Sequence, residues 1–195
     1  RDLNELSAHG LLTRFHGGAG QSKSIENNPY AQRRQTGVTA KRRIAEATAA
    51  LIPNGASLFL NIGTTTEAVA QALLGHENLM VVTNNMNVAQ ILQANETCEI
   101  VVAGGTLRRS DRGLVGALTA RTIGNFKFDH AILGCSALDP DGAMLDFDMQ
   151  EVIVGQTLLS RSRECILVAD HSKFARSAPM RIGSLRDIDQ FFTDS

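Results

Sequence analysis

Cysteine is scarce, with three in 195 residues, and those three are far apart at Cys98, Cys135 and Cys165. None has a partner at metal-ligand spacing and none lies beside a histidine. Each sits at or next to an apolar run, where free cysteine behaves as a small hydrophobe. They read as core residues in a reducing compartment. The five histidines include no pair four residues apart, which argues against a zinc site. No apolar run approaches the roughly 18 residues of a membrane-spanning helix. No basic start leads into the apolar core of a secretory signal. A cytoplasmic protein is the expectation. With 43% hydrophobic and 20% charged residues, collagenous, coiled-coil and disordered classes are excluded.

Net charge is small, −1, but unevenly placed. Residues 1–43 carry eight Lys/Arg against three acids, and the remainder carries eleven against seventeen. A basic amino-terminal piece on an acidic globule marks either a nucleic-acid-binding segment or a solvated basic linker. Arg1–Leu6 reads as the end of a helix, stopped by Gly10. Leu11–Phe15 reads as a strand before Gly17-Gly18. Residues 20–38 are polar, with Pro29 and two asparagines, and read as a linker.

From residue 39 to 195 the pattern alternates helix and strand. Helices are expected at Ala40–Leu51, Thr65–Leu74, Met86–Ala94, Leu114–Gly124 and Met149–Ser162. Strands are expected at Ser57–Ile62, Leu79–Thr83, Cys98–Ala103, His130–Cys135 and Cys165–Asp170, with a last one at Ile188–Thr193. The strands are continuous apolar runs, as in sheets covered on both faces. The expected fold is α/β with a doubly wound, mostly parallel sheet. Ligands in such sheets bind beyond the carboxyl ends of the strands.

Those ends are rich in Gly, Ser, Thr and Asn: Asn61-Ile62-Gly63-Thr64-Thr65-Thr66, Thr83-Asn84-Asn85, Gly104-Gly105-Thr106, Gly134-Cys135-Ser136 and Asp170-His171-Ser172-Lys173. Free amides and hydroxyls at a helix N-terminus suit an anion. Thr64 with Glu67 three residues on is equally a capping box. The Gly-Lys-Ser/Thr of a phosphate-binding loop and the Gly-x-Gly-x-x-Gly of a dinucleotide site are both absent. Asp146 and Asp148 read as loop surface.

Arg1-Asp2-Leu3-Asn4-Glu5-Leu6, Gly10–Arg14 and His16-Gly17-Gly18-Ala19 resemble the end of the DNA-binding domain in DeoR-type bacterial repressors. Lys41 with Ile44-Ala45, Gly63-Thr64-Thr65, Thr83-Asn84, Gly104-Gly105 and Asp170-x-Ser172-Lys173-Phe174 resemble that family's effector domain, in the same order. The resemblance implies a remnant of a winged helix-turn-helix at 1–19 and a linker at 20–38. It implies a sugar-phosphate effector domain at 39–195, on a fold like ribose-5-phosphate isomerase. It implies a repressor with no catalytic residue, metal or cofactor, which leaves operator DNA on binding glycerol 3-phosphate or another sugar phosphate. Ligand-binding positions would be Lys41, Asn61, Gly63, Thr64, Thr65, Thr66, Thr83, Asn84, Gly104, Gly105, Glu151, Asp170 and Lys173. Arg1, Arg14 and His16 would face DNA. Asn61 stands where the family carries Asp. The resemblance implies a homo-oligomer, a dimer or a tetramer. The alternative is a sugar-phosphate isomerase-like enzyme, with Glu151 or Asp170 as base and Lys173 as electrophile.

Overall fold

The computed structural model describes residues 12–15, 18–21 and 27–194. Strands β1 (Leu12–Phe15) and β2 (Gly18–Gln21) form an antiparallel hairpin that pairs Leu12 with Gln21 and Phe15 with Gly18. The expected helix end at Arg1–Leu6 lies outside the described residues. A short helix, α1 (Tyr30–Gln35), follows within the polar stretch 20–38.

Helix α2 (Val38–Leu51) buries Lys41, Ile44, Ala45, Thr48 and Ala49, the one-sided stripe of an amphipathic helix. Ile52, extended before Pro53, ends it. The main sheet then begins. Its strands in chain order are β3 (Ser57–Leu60), β4 (Met80–Thr83), β5 (Glu99–Val102), β8 (Phe128–Leu133), β11 (Ser162–Val168) and β13 (Gln190–Phe192). Their spatial order is β13-β11-β8-β3-β4-β5, and every neighbouring pair is parallel.

The continuous apolar runs follow from that architecture. Successive strand side chains face opposite sides of a sheet. Leu58 and Leu60 enter one core with Val81, Ile132 and Ile166, against α2, α3 (Thr64–Ala72) and α4 (Met86–Leu92). Phe59, Val82 and Ala131 enter the other, against Ile123 of α5 (Ala117–Gly124) and Val154 and Leu158 of α6 (Met149–Arg161). Leu58, Phe59 and Leu60 have no exposed surface. Each such side chain contributes roughly 1.5–3 kcal/mol on burial.

Strand order reverses at β3 and β8. After β3 the chain winds one way to β4 and β5, then returns to β8 and winds the other way. The connections leaving β3 and β8 diverge over opposite faces and open a crevice at their carboxyl ends.

Two features depart from the expected pattern. Residues 114–124 are not one helix. Leu114 belongs to strand β7 (Gly113–Val115), paired antiparallel with β6 (Thr106–Arg108), and Gly116 at φ 111° separates it from α5. A second sheet, in the order β12-β10-β9, joins β9 (Ala137–Leu138), β10 (Ala143–Asp146) and β12 (Met180–Ser184). Strands of two to five residues are too short to show a periodicity. Among the described residues no helix is long and apolar enough to cross a membrane.

Candidate functional site: an anion cleft at the reversal point

The chain leaves β3 through Asn61, whose Oδ1 accepts a 2.8 Å hydrogen bond from the Ile62 amide. Gly63 caps α3 at φ 154°, with no side-chain cap. The first amide of α3 with a helical acceptor is that of Glu67, which donates to the Gly63 carbonyl at 3.1 Å. The amides of Thr64, Thr65 and Thr66 have no acceptor among the described residues, so the positive end of the helix is open. The Thr66 hydroxyl turns back, 2.7 Å from the Asn61 carbonyl and 2.8 Å from that of Gly63. The capping box is not formed. Glu67 instead accepts from the Tyr30 hydroxyl at 2.9 Å and from Asn87 at 3.0 Å.

Three other segments complete the cleft. The turn after β11 brings Lys173, and the end of β8 brings Cys135 and Ser136. Residues ahead of α2 bring Asn27 and Arg33. Burial lowers the pKa of Lys173, and neighbouring Arg176 lowers it further. Burial pushes the Cys135 thiol up to about 12, so it is no nucleophile at neutral pH. Asp170 caps the turn that carries Lys173, accepting from the Ser172 amide at 3.0 Å.

The opposite wall is acidic. Asp146 ends β10 with 5% of its surface exposed, accepting from the Phe147 amide at 2.6 Å and the Ser136 hydroxyl at 3.1 Å. Burial raises its pKa. Glu151, in the first turn of α6, is pushed up to about 7 by burial and by Asp146, against the pull of Arg108. Arg108 reaches over from β6 to pair with Asp111 at 2.6 Å, with Asp148 and with Glu151. Those partners keep its guanidinium charged although burial opposes the charge. A ligand that fits both walls carries an anionic group at the α3 end and hydroxyl donors at the Asp146–Glu151 end.

Of the residues singled out from the sequence, Gly63, Thr64, Thr65, Thr66, Glu151 and Lys173 converge here. Asn61 and Asp170 lie directly behind, shaping the two turns. Lys41 is buried, and its ammonium donates to the carbonyls of Arg33 and Thr36, capping α1.

Thr83, Asn84, Gly104 and Gly105 stand apart from the cleft. The Thr83 hydroxyl donates to the Leu60 carbonyl at 2.6 Å, and Asn84 holds β7 through its carbonyl and the Leu114 amide at 2.7 Å. The Gly104 carbonyl accepts from the Thr119 hydroxyl at 2.6 Å. A Cβ on Gly105 would lie 2.1 Å from Thr119 Oγ1. Thr83, Asn84 and Gly104 bind neighbouring elements to one another, and Gly105 allows their close approach. Arg14 belongs to β1, opposite Ala19, while its side chain, Arg1 and His16 lie outside the described residues. Sequence reasoning missed Asn27, Arg33, Arg108 and Asp146. Among the described residues no cluster of three or more His, Cys, Asp or Glu is placed to hold a metal.

Residues 36–195 match the DeoR C terminal sensor domain, and residues 1–25 the DeoR-like helix-turn-helix domain. The chain belongs to the DeoR family. Among DeoR relatives, the glycerol-3-phosphate regulon repressor of Haemophilus influenzae is 52% identical over 99% of this chain and 75% of its own length. The repressor of the same name in Escherichia coli is 47% identical over 100% and 77%. The DeoR sensor architecture also superposes on eIF2B delta from Chaetomium thermophilum. That superposition has a TM-score of 0.61 at 12% identity, over 81% of this chain and 56% of that one, a likeness of fold. Superposition on ribose 5 phosphate isomerase A from Neisseria gonorrhoeae gives 0.47 at 18% identity, over 70% and 53%.

Proposed function

We propose that this chain is the effector-sensing part of a cytoplasmic transcriptional repressor, which gives up operator DNA when a sugar phosphate, glycerol 3-phosphate first among them, occupies the cleft. The observation that carries the reading is the open row of amides at Thr64–Thr66 facing Lys173. An anion seated there meets unpartnered backbone donors, a helix dipole and a half-buried ammonium together. The glycerol hydroxyls then donate to Asp146 and Glu151. The amino-terminal match to a helix-turn-helix supplies the DNA partner, and paired half-sites call for a dimer or tetramer. The ligand acts by binding the DNA-free state more tightly than the DNA-bound one. Glu151 is tied to Arg108, unlike the free base an isomerase needs, and the relatives named above are repressors.

The test is thermal denaturation with ligand. A ligand that binds only the folded state adds about 2.7 kcal/mol at a hundred times its Kd. Glycerol 3-phosphate raises Tm, and glycerol at the same concentration does not. Lys173→Ala and Thr65→Val reduce the shift, while Arg121→Gln on the exposed face of α5 leaves it intact. Equal shifts in wild type and both cleft variants would place the ligand elsewhere. A larger shift with a hexose phosphate would replace glycerol 3-phosphate as the effector.

A further inference from the structure

Residues 27–36 lie over the cleft as a strap held at both ends and in the middle. Asn27 donates to the Ser136 hydroxyl at 3.0 Å and accepts from Arg176 at 2.8 Å. Tyr30 donates to Glu67 of α3 and accepts from Asn87 of α4, both at 2.9 Å. Lys41 of α2 holds the Thr36 carbonyl at 2.7 Å. The strap therefore touches the connections leaving β3, β4, β8 and β11, and it directly follows the stretch that matches a helix-turn-helix.

Arg33 is the strap's charge in the cleft. It lines the same cavity as Gly63–Thr66 and Lys173, with 17% of its side chain exposed. Its Nε donates to the Asn28 carbonyl at 3.1 Å, which fixes the plane of the guanidinium. Among the described residues its nearest carboxylate, Asp111, is 3.8 Å away and already committed to Arg108 at 2.6 Å. Neither terminal nitrogen has an acceptor within hydrogen-bond distance among the described residues. A planar fork with free donors matches a phosphate in a way that a lysine does not. Arg33 also sits close enough to Lys173 and Arg176 to disfavour the charge on each, a repulsion that an anion between them relieves.

We propose that Arg33 is an effector-contacting residue, sharing with Lys173 the phosphate seated on Thr64–Thr66, so that the ligand itself clamps the strap. The proposal rests on the sugar-phosphate reading above and adds the route by which occupancy reaches the DNA-binding side. A ligand that bonds to the strap favours one placement of the helix-turn-helix over others, and that difference in affinity is what a switch requires.

The experiment pairs calorimetric titration of glycerol 3-phosphate with hydrogen–deuterium exchange of residues 30–36, in wild type, Arg33→Gln, Arg33→Lys and Arg34→Gln. Arg33→Gln weakens binding at least tenfold, Arg33→Lys weakens it less, and Arg34→Gln, exposed on the outer side of α1, leaves it unchanged. Ligand slows exchange of 30–36 in wild type and fails to do so in Arg33→Gln. Should Arg33→Gln not fold, Arg33→Lys carries the test, with a threefold or greater loss expected. Tight binding in wild type and equal binding in the Arg33 variants overturns the proposal and leaves the effector reading standing. Binding that depends on Arg33 with no protection of 30–36 in wild type overturns the clamp. If wild type binds no sugar phosphate, the effector reading falls and the proposal with it.

Discussion

The hydroxyl of Tyr30 donates to the carboxylate of Glu67 at 2.9 Å, joining α1 to the residue that directly follows the open amides of α3. Burial, followed by that carboxylate, pushes the phenol up to about 12. Tyr30 is the chain's single tyrosine, so its ionisation can be read by absorbance without overlap. The expected titration midpoint is near 12. Glu67→Gln removes the second cause and moves it toward the ordinary value of about 10. Tyr30→Phe lowers stability by about 1.5 kcal/mol, the low end for a hydrogen bond to a charged group. A wild-type midpoint near 10 would show the contact to be unformed in solution.

Glu151 gives the cleft a pH dependence. Its folded-state pKa of about 7 lies above the ordinary value of 4.5. Between those values the folded state binds more protons than the unfolded one, so stability falls as pH rises from about 4.5 to 7. Asp146, also raised by burial, contributes with the same sign. Urea denaturation across this window is expected to show a downward slope that Glu151→Gln flattens. Arg108→Gln removes the cation facing Glu151, Asp111 and Asp148, and about 3 kcal/mol is lost, the low end for breaking a buried pair. The double variant recovers part of that loss, since one stranded carboxylate is gone.

Adjacent glycines at the end of β5 differ in what they tolerate. Gly105 has φ 143°, and a Cβ there meets Thr119 Oγ1 at 2.1 Å and the Val115 carbonyl at 2.7 Å. A Cβ on Gly104 meets only the flexible end of Leu118, at 3.1 Å. Gly105→Ala is expected to cost at least about 1–3 kcal/mol through backbone strain alone, and Gly104→Ala less. Glycerol 3-phosphate affinity per folded molecule stays unchanged in both. A selective loss of affinity in Gly105→Ala would bring this turn into the effector site.

The parallel sheet was legible because its strands are buried on both faces, and Leu58-Phe59-Leu60 can only be apolar throughout. The Gly63–Thr66 turn was legible for the same reason, since it follows such a strand and opens a helix. Composition at a strand end does not say which way a side chain turns. Thr83 and Thr65 look alike in sequence, yet Thr83 bonds inward to Leu60 while Thr65 lines the cleft. Arg33 was hidden because a six-residue helix in a polar stretch buries no residue of its own and shows no apolar stripe. Asp146 looked like loop surface because β10 and its partners are short, and only their pairing with distant β12 buries it.

The two family matches end at residue 25 and begin at residue 36, and Asn27, Tyr30 and Arg33 fall between them. A recombinant sensor domain cut at the matched boundary therefore leaves behind one wall of the proposed effector cleft. It also removes the Arg33 carbonyl that accepts from the Lys41 ammonium, and leaves only that of Thr36. If the cleft is the effector site, affinities measured on such a fragment describe a half-built pocket. The boundary that preserves the chemistry lies before Asn27.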